Sequence, residues 1–420
     1  MPSLMENFKA AASKIKDSGI LSEEQFDVAY STGYPSIDYL NGTKIHVESP
    51  DRNFSYESCG LVDGSTNTII GRSGSGKSTL TMQIVGNIAR PYIEQGLDCN
   101  IYIDDLEGSL PESRKLFLLG LTQEQTKAHL DIRNVGITAE NFYQRIQIIH
   151  DQKLAHKKDL LYDTGLYNMS GERIFKLVPT LYVLDSYAML LPKDLAEDDE
   201  LGGPMSASSI AKTNTGLFKK ISQLCKEANI ILTTVNHIMD DIQMGFIPKA
   251  AQISGLKQGE RLPGGRAAIY LANNMFRVDD STTLKEKDGF GIDGSIVSFS
   301  IVKSRTNISK RQIPLIFNKT EGGFDNILSL FQLLKSEGEI SGAGQGLFFS
   351  ELPGEKFSQR NFKERLEESE ELQDVFFKKA YDVLKTYLSD TKMQESNKDG
   401  STNRKLQDRF KRFATQNIDE

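Results

Sequence analysis

Apolar and polar positions alternate along this chain with two different periods. Short runs at Thr68–Ile70, Asn100–Asp104, Thr180–Asp185, Ile230–Val235, Met275–Val278, Ile296–Val302 and Gln312–Phe317 are dense in Ile, Val, Leu, Tyr and Phe, which predicts strands. Helically spaced stretches lie between them, so the alternation predicts an α/β core over about 31–324, with a mostly parallel sheet covered by helices. Ahead of it, Leu4, Phe8, Ala11 and Ile15 share one face of a helix expected over Ser3–Asp17. A helix that short needs something to pack against.

After Phe324 the pattern changes. A helix over Ile327–Ser336, a short hairpin within Gly346–Ser358 and two charged helices ending near Leu388 predict a small α/β C-terminal domain over 325–388. Residues 389–420 are polar and predict a disordered tail. Three segments resist a regular reading. His150–Lys176 is polar and reads as an irregular insertion, whereas Leu195–Ser209 and Ile238–Arg266 are rich in Gly, Ser and charge and follow strand ends. Long loops in a compact domain are commonly functional or disordered.

Composition narrows the picture modestly. With 420 residues the chain can bury a large core, and a net charge of −7 argues against a generally basic nucleic-acid coat while leaving room for a local basic groove. Cys59, Cys99 and Cys225 are widely spaced and lack a metal-ligand pattern. No stretch approaches the apolar length of a membrane span, so a soluble, cytoplasmic protein without a membrane partner is expected.

Candidate chemistry begins directly after the first strand. Gly71, Arg72, Ser73, Gly74, Ser75, Gly76, Lys77, Ser78 and Thr79 fit the phosphate-binding pattern G-x-x-x-x-G-K-[ST]. Glycines there let backbone N–H groups curl round phosphates, Lys77 adds a point charge, Ser78 offers a hydroxyl to Mg²⁺, and a helix over Ser78–Ala89 points its positive end inward. A chance glycine-rich turn is the bland alternative, opposed by the order strand, loop, helix. The strand ending at Asp185 has the form of a Walker B carboxylate that orients Mg²⁺. Glu107 follows another strand and is a candidate to activate water, with Asp104 and Asp105 as competitors and a solvated acidic turn as the alternative. Asn236 and His237 close a third strand, and Lys303 and Arg305 a fourth.

Together these residues resemble the RecA family of DNA recombinases, and within it the UvsX-type recombinases of T-even-like phages. Ser31-Thr32-Gly33-Tyr34-Pro35-Ser36-Ile37-Asp38 is similar to the family's opening signature, Asp105-Leu106-Glu107 to its D-x-E, Asp185-Ser186 to its Walker B pair and Asn236-His237 to its N-H. Lys303-Ser304-Arg305-Thr306 and Glu321-Gly322-Gly323-Phe324-Asp325 are similar to two later motifs. The resemblance covers about residues 31–388 and implies a RecA-like P-loop ATPase using ATP and Mg²⁺. It further implies that Glu107 activates water, that His237 senses the γ-phosphate, and that Lys303 and Arg305 reach into a neighbouring protomer's site.

The resemblance also implies a helical homo-oligomer on single-stranded DNA that then engages duplex DNA, with a loading mediator and a single-strand-binding protein as further partners; Phe8 and Ala11 have the F-x-x-A spacing by which some recombinases dock on the next protomer, with an ordinary amphipathic face as the alternative. Met205 in the first loop and Lys249, Lys257, Arg261, Gly264, Gly265 and Arg266 in the second would hold DNA. The stretch Pro111, Glu112, Arg114 lacks the tyrosine common in RecA, and the 150–176 insertion has no clear counterpart. A ring helicase or packaging motor, or a nucleotide-switched mediator, would share the phosphate loop, Glu107 and Asp185.

Overall fold

The computed structural model describes residues 28–48, 53–167, 173–196, 205–240, 255–264, 271–287, 289–305, 307 and 311–393. Nine strands form the central sheet: β1 (Thr66–Gly71), β2 (Ile101–Asp105), β3 (Leu130–Arg133), β4 (Thr180–Asp185), β5 (Ile230–His237), β6 (Asn274–Leu284), β7 (Gly294–Ser304), β8 (Gln312–Asn318) and β9 (Gly323–Asp325). Their order across the sheet is β9-β8-β7-β6-β1-β5-β4-β2-β3. The run from β6 to β3 is parallel, whereas β7, β8 and β9 add on antiparallel.

Every residue of β1 and β4 is buried, as expected of parallel strands covered on both faces. The helix Lys77–Glu94 packs Leu80, Ile84, Ile88 and Ile93 into the larger apolar cluster. It runs past the expected end at Ala89 and through Pro91, because burial of Ile88, Ala89 and Ile93 outweighs the one backbone hydrogen bond that proline removes. On the other side of the sheet the helices Ala139–Ala155 and Met205–Ala228 bury Phe142, Ile146, Phe218 and Ile221 with Tyr182 and Leu184 of β4.

Several sequence expectations need correction. The segment His150–Lys176 is not irregular: it completes the helix Ala139–Ala155 and then forms an antiparallel hairpin of Leu161–Tyr167 with Arg173–Leu177. Tertiary partners hold that polar hairpin down. Tyr162 donates to the Tyr30 hydroxyl at 3.0 Å, and Lys176 pairs with Asp63 at 2.9 Å. Residues 389–393, expected in the tail, form a strand parallel to Thr43–Glu48, which pairs in turn with Asn53–Ser58. Their pattern is too polar to announce strands, and pairing between edges creates them. Within 195–209, a short helix spans Lys193–Ala196, and Met205 opens a helix of 24 residues instead of lying in a loop.

After Phe324 the helices lie close to where they were expected. Asp325 caps the helix Asn326–Ser336 by accepting from the Leu328 N–H at 2.9 Å. Leu347 and Phe357 form a single antiparallel bridge where the hairpin was expected, and the helices Phe362–Glu368 and Glu370–Lys385 follow. Phe331, Phe357, Phe362 and Phe376 are buried together, with ring centroids 4.6–6.2 Å apart for the contacting pairs. The helix expected around Phe8 and Ala11, and the rest of the expected tail beyond 393, lie outside the described residues.

Candidate active site

Parallel strands all end at the same sheet edge, and here that geometry gathers the candidates. Gly71 of β1 lies beside His237 of β5, while Asp185 of β4 pairs with Val235 of β5 and with Asp105 of β2. The side chains of Lys77, Asp185, Glu107 and His237, distant in sequence, therefore converge outside the carboxyl ends of the strands, where open α/β sheets bind ligands.

The candidate phosphate loop bends where its sequence lets it. A Cβ on Gly71 would lie 2.3 Å from the Val278 carbonyl oxygen of β6, so only glycine fits between the two strands. Arg72, Ser73 and Gly74 are exposed, Ser75 and Thr79 are buried, and Gly76 and Ser78 are half-buried. Lys77 is buried and donates to the Arg72 carbonyl oxygen at 2.7 Å. Desolvation lowers its pKa, opposed by the charges of Asp185 and Glu107. Burial raises the Asp185 carboxyl to about 6 despite a hydrogen bond from Ser78 and the nearby Lys77 charge, with Glu107 and Asp105 adding to the rise.

Two buried side-chain oxygens at the site, Ser75 Oγ and Asp185 Oδ1, have no hydrogen-bond partner. Such atoms are costly unless a ligand meets them, and a phosphate with its cation fits both. Among the described residues no cluster of three or more His, Cys, Asp or Glu could hold a metal by itself. Magnesium commonly takes one or two protein ligands plus phosphates and waters, so Ser78 and Asp185 make a sufficient pair.

The competition among three acids resolves by partner. Asp104 is fully buried and accepts from Arg133 at 2.8 and 2.9 Å, from Arg145 at 2.5 Å and from the Tyr182 hydroxyl at 2.5 Å. Asp105 is held by Lys115 and caps the turn, accepting from the Gly108 N–H at 2.8 Å. Glu107 alone turns toward the phosphate loop, its Oε2 lying 2.8 Å from His237 Nε2. The backbone fixes it there, since the Asp185 carbonyl oxygen accepts from the Leu106 and Glu107 N–H groups.

The same strand end reaches the second loop. Asn236 Nδ2 donates to the Pro263 carbonyl oxygen at 3.1 Å, and its Oδ1 accepts from the His237 N–H at 2.8 Å. Next to Pro263, Gly264 has φ +84°, and a Cβ there would sit 2.8 Å from the Tyr187 ring, two residues beyond Asp185. Asn214, on the helix that follows the first loop, donates to the Gly264 carbonyl oxygen at 3.4 Å. Sequence reading missed Asn214 and Tyr187, which carried no local signal.

Other predicted residues fall elsewhere. Lys303 pairs with Met275, which is level with Thr68, and Arg305 follows Ser304, which is level with Asn67. At about 3.3 Å per residue they lie roughly 10 Å or more back from Gly71 along the strands, toward the opposite edge. They do not join the site within one chain. Lys303 donates to the Ala272 carbonyl oxygen at 2.8 Å, and burial, reinforced by Arg305, lowers its pKa to about 8. Lys257 and Arg261 are exposed near the second loop's end, while the structure describes no side chain for Met205, and Lys249, Gly265 and Arg266 lie outside the described residues.

The opening signature also has a physical role. Asp38 is buried and accepts from Ser31 Oγ, Thr32 Oγ1 and the Thr32 N–H at 2.6, 2.6 and 2.8 Å, while burial raises its pKa to about 6. It braces the turn that precedes the core. Scanned against protein-family models the chain matches none, and a search of curated proteins finds no match either. Among the described residues no helix is long and apolar enough to cross a membrane.

Proposed function

We propose that the chain is an ATP-dependent DNA recombinase of the RecA class, nearest the UvsX type. In this reading it polymerises on single-stranded DNA, pairs that strand with homologous duplex DNA and exchanges strands, with DNA-stimulated ATP hydrolysis between protomers. One observation carries it: the end of β5 places His237 against Glu107 and Asn236 against Pro263, so a single strand end joins a hydrolytic carboxylate to the root of the second loop.

The roles follow from the contacts. Lys77 and the loop's N–H groups hold the phosphates, and Ser78 and Asp185 hold Mg²⁺, which when bound polarises phosphate oxygens. Glu107 orients and deprotonates the attacking water, with His237 fixing the carboxylate and contacting the γ-phosphate. Lys303 and Arg305 lie back along the strands from their own chain's site, which suits basic groups supplied to a neighbour's ATP, so a homo-oligomeric filament completes the site. Exposed Lys257 and Arg261 suit phosphate contact without base readout.

The test is ATP hydrolysis by the purified chain at low salt, with and without long single-stranded DNA, followed by strand exchange. Strong stimulation, and its loss in Lys77→Ala, is the expected result. Nucleotide binding without any DNA stimulation would overturn the reading, and closed rings instead of filaments in electron micrographs would redirect it to a motor.

A further inference from the structure

A second connection leaves the phosphate loop by a different residue. Arg72, exposed at the loop's second position, makes a two-point contact with Asp240, at 3.1 and 2.6 Å. Its carbonyl oxygen meanwhile receives the Lys77 ammonium at 2.7 Å. Arg72 is thus tied by its main chain to the phosphate-binding lysine and by its side chain to the next element.

That element is the short antiparallel pairing of Met239–Asp240 with Glu260–Arg261, which closes the base of the second loop. It is anchored from below. Glu260, 3.8 Å from Arg72, forms a buried two-point pair with Arg277 of β6 at 2.7 and 2.9 Å, and accepts from the Lys257 N–H at 2.7 Å. Asp279 takes the remaining Arg277 Nε–H at 2.6 Å. Leu256 and Leu262 pack with Ile70, the residue before Gly71. Glu260 therefore has its own cation, which leaves Asp240 as the dedicated partner of Arg72.

Resting on the reading above, we propose that Arg72 and Asp240 form a positioning pair that couples phosphate-loop occupancy to the base of the second loop, separately from the Asn236–Pro263 contact. Drawing Lys77 from the Arg72 carbonyl toward phosphate alters how Arg72 is held, and the two-point contact passes that change to Asp240. By linkage, DNA on the loop then shifts nucleotide affinity by the same factor through the same pair.

The experiment measures KM and kcat for ATP in the full chain, with and without saturating oligothymidylate, for wild type, Asp240→Asn and Asp240→Glu. We expect Asp240→Asn to keep DNA-free hydrolysis within about twofold while losing about fivefold or more of the DNA-dependent shift in KM. Asp240→Glu, which retains the charge, should restore most of it. A merely structural role would lower both conditions together, and unchanged melting temperatures check that the variants fold. If wild type shows the shift and Asp240→Asn keeps it whole, the pair is not the coupling device. If DNA stimulates wild-type hydrolysis with no shift in KM, the inference fails and the recombinase reading stands; if DNA changes neither kcat nor KM, that reading fails first, and the inference with it.

Discussion

Asp104 and Asp105 end one strand of this sheet, and Asp185 ends the strand beside it, yet the two sets of acids live in opposite conditions. Asp104 is enclosed by Arg133, Arg145 and Tyr182, and Asp105 by Lys115. Asp185 keeps an orphaned buried oxygen, and Glu107, two residues beyond Asp105, has His237 in place of a permanent cation. Satisfied carboxylates hold strands together, while those left short of partners are available to a ligand.

Breaking the two sets should give opposite phenotypes. Glu107→Gln is expected to lower kcat for ATP hydrolysis by about 10²- to 10⁴-fold with nucleotide binding retained, whereas Asp104→Asn leaves kcat nearly unchanged. Equal losses in a phosphate-release assay would erase the distinction. Conversely, Asp104→Asn should cost about 3 kcal/mol or more in denaturant unfolding, because it leaves Arg133 beside a neutral group and Arg145 with Asp131 as its remaining carboxylate. For Glu107→Gln the same measurement should move by less than about 1 kcal/mol.

Acidity sharpens the contrast at Asp185. Its folded value is raised from 3.8 to about 6 by burial, so the group favours the fold in its protonated form. That contribution is complete below about pH 4 and lost as pH rises through about 6, leaving an uncompensated carboxylate at neutral pH worth about 3 kcal/mol. On the proposed reading magnesium with nucleotide would compensate it, so the thermal shift on adding both should be large near pH 7.5 and shrink below about pH 6. A shift independent of pH would show that Asp185 does not meet the cation. A smaller change, about fivefold in DNA stimulation, is expected for His237→Ala, read as the ratio of hydrolysis rates with and without single-stranded DNA.

Much of this molecule is written locally. The phosphate-loop pattern occupies nine consecutive residues, and the burial of β4 and β5 follows from runs rich in Ile, Val and Leu, whereas β1 buries Thr66, Asn67 and Thr68 beside Ile69 and Ile70. The strands Thr43–Glu48, Asn53–Ser58 and Ser389–Met393 were illegible because their polar composition becomes extended only when edges pair. The hairpin after His150 depends likewise on Tyr30 and Asp63, which lie more than a hundred positions earlier.

Sequence by itself determined that this is an α/β chain with a loop of the G-x-x-x-x-G-K-[ST] pattern and acids at strand ends, because periodicity and motif spacing act over a few residues. Tertiary structure alone decided which acids face the loop, since that depends on β5 lying between β1 and β4 and on remote arginines occupying Asp104. It also decided that Lys303 and Arg305 leave the site and that Arg72 finds Asp240. Strand order and partner choice are long-range contacts, fixed by burial and charge pairing across the whole fold.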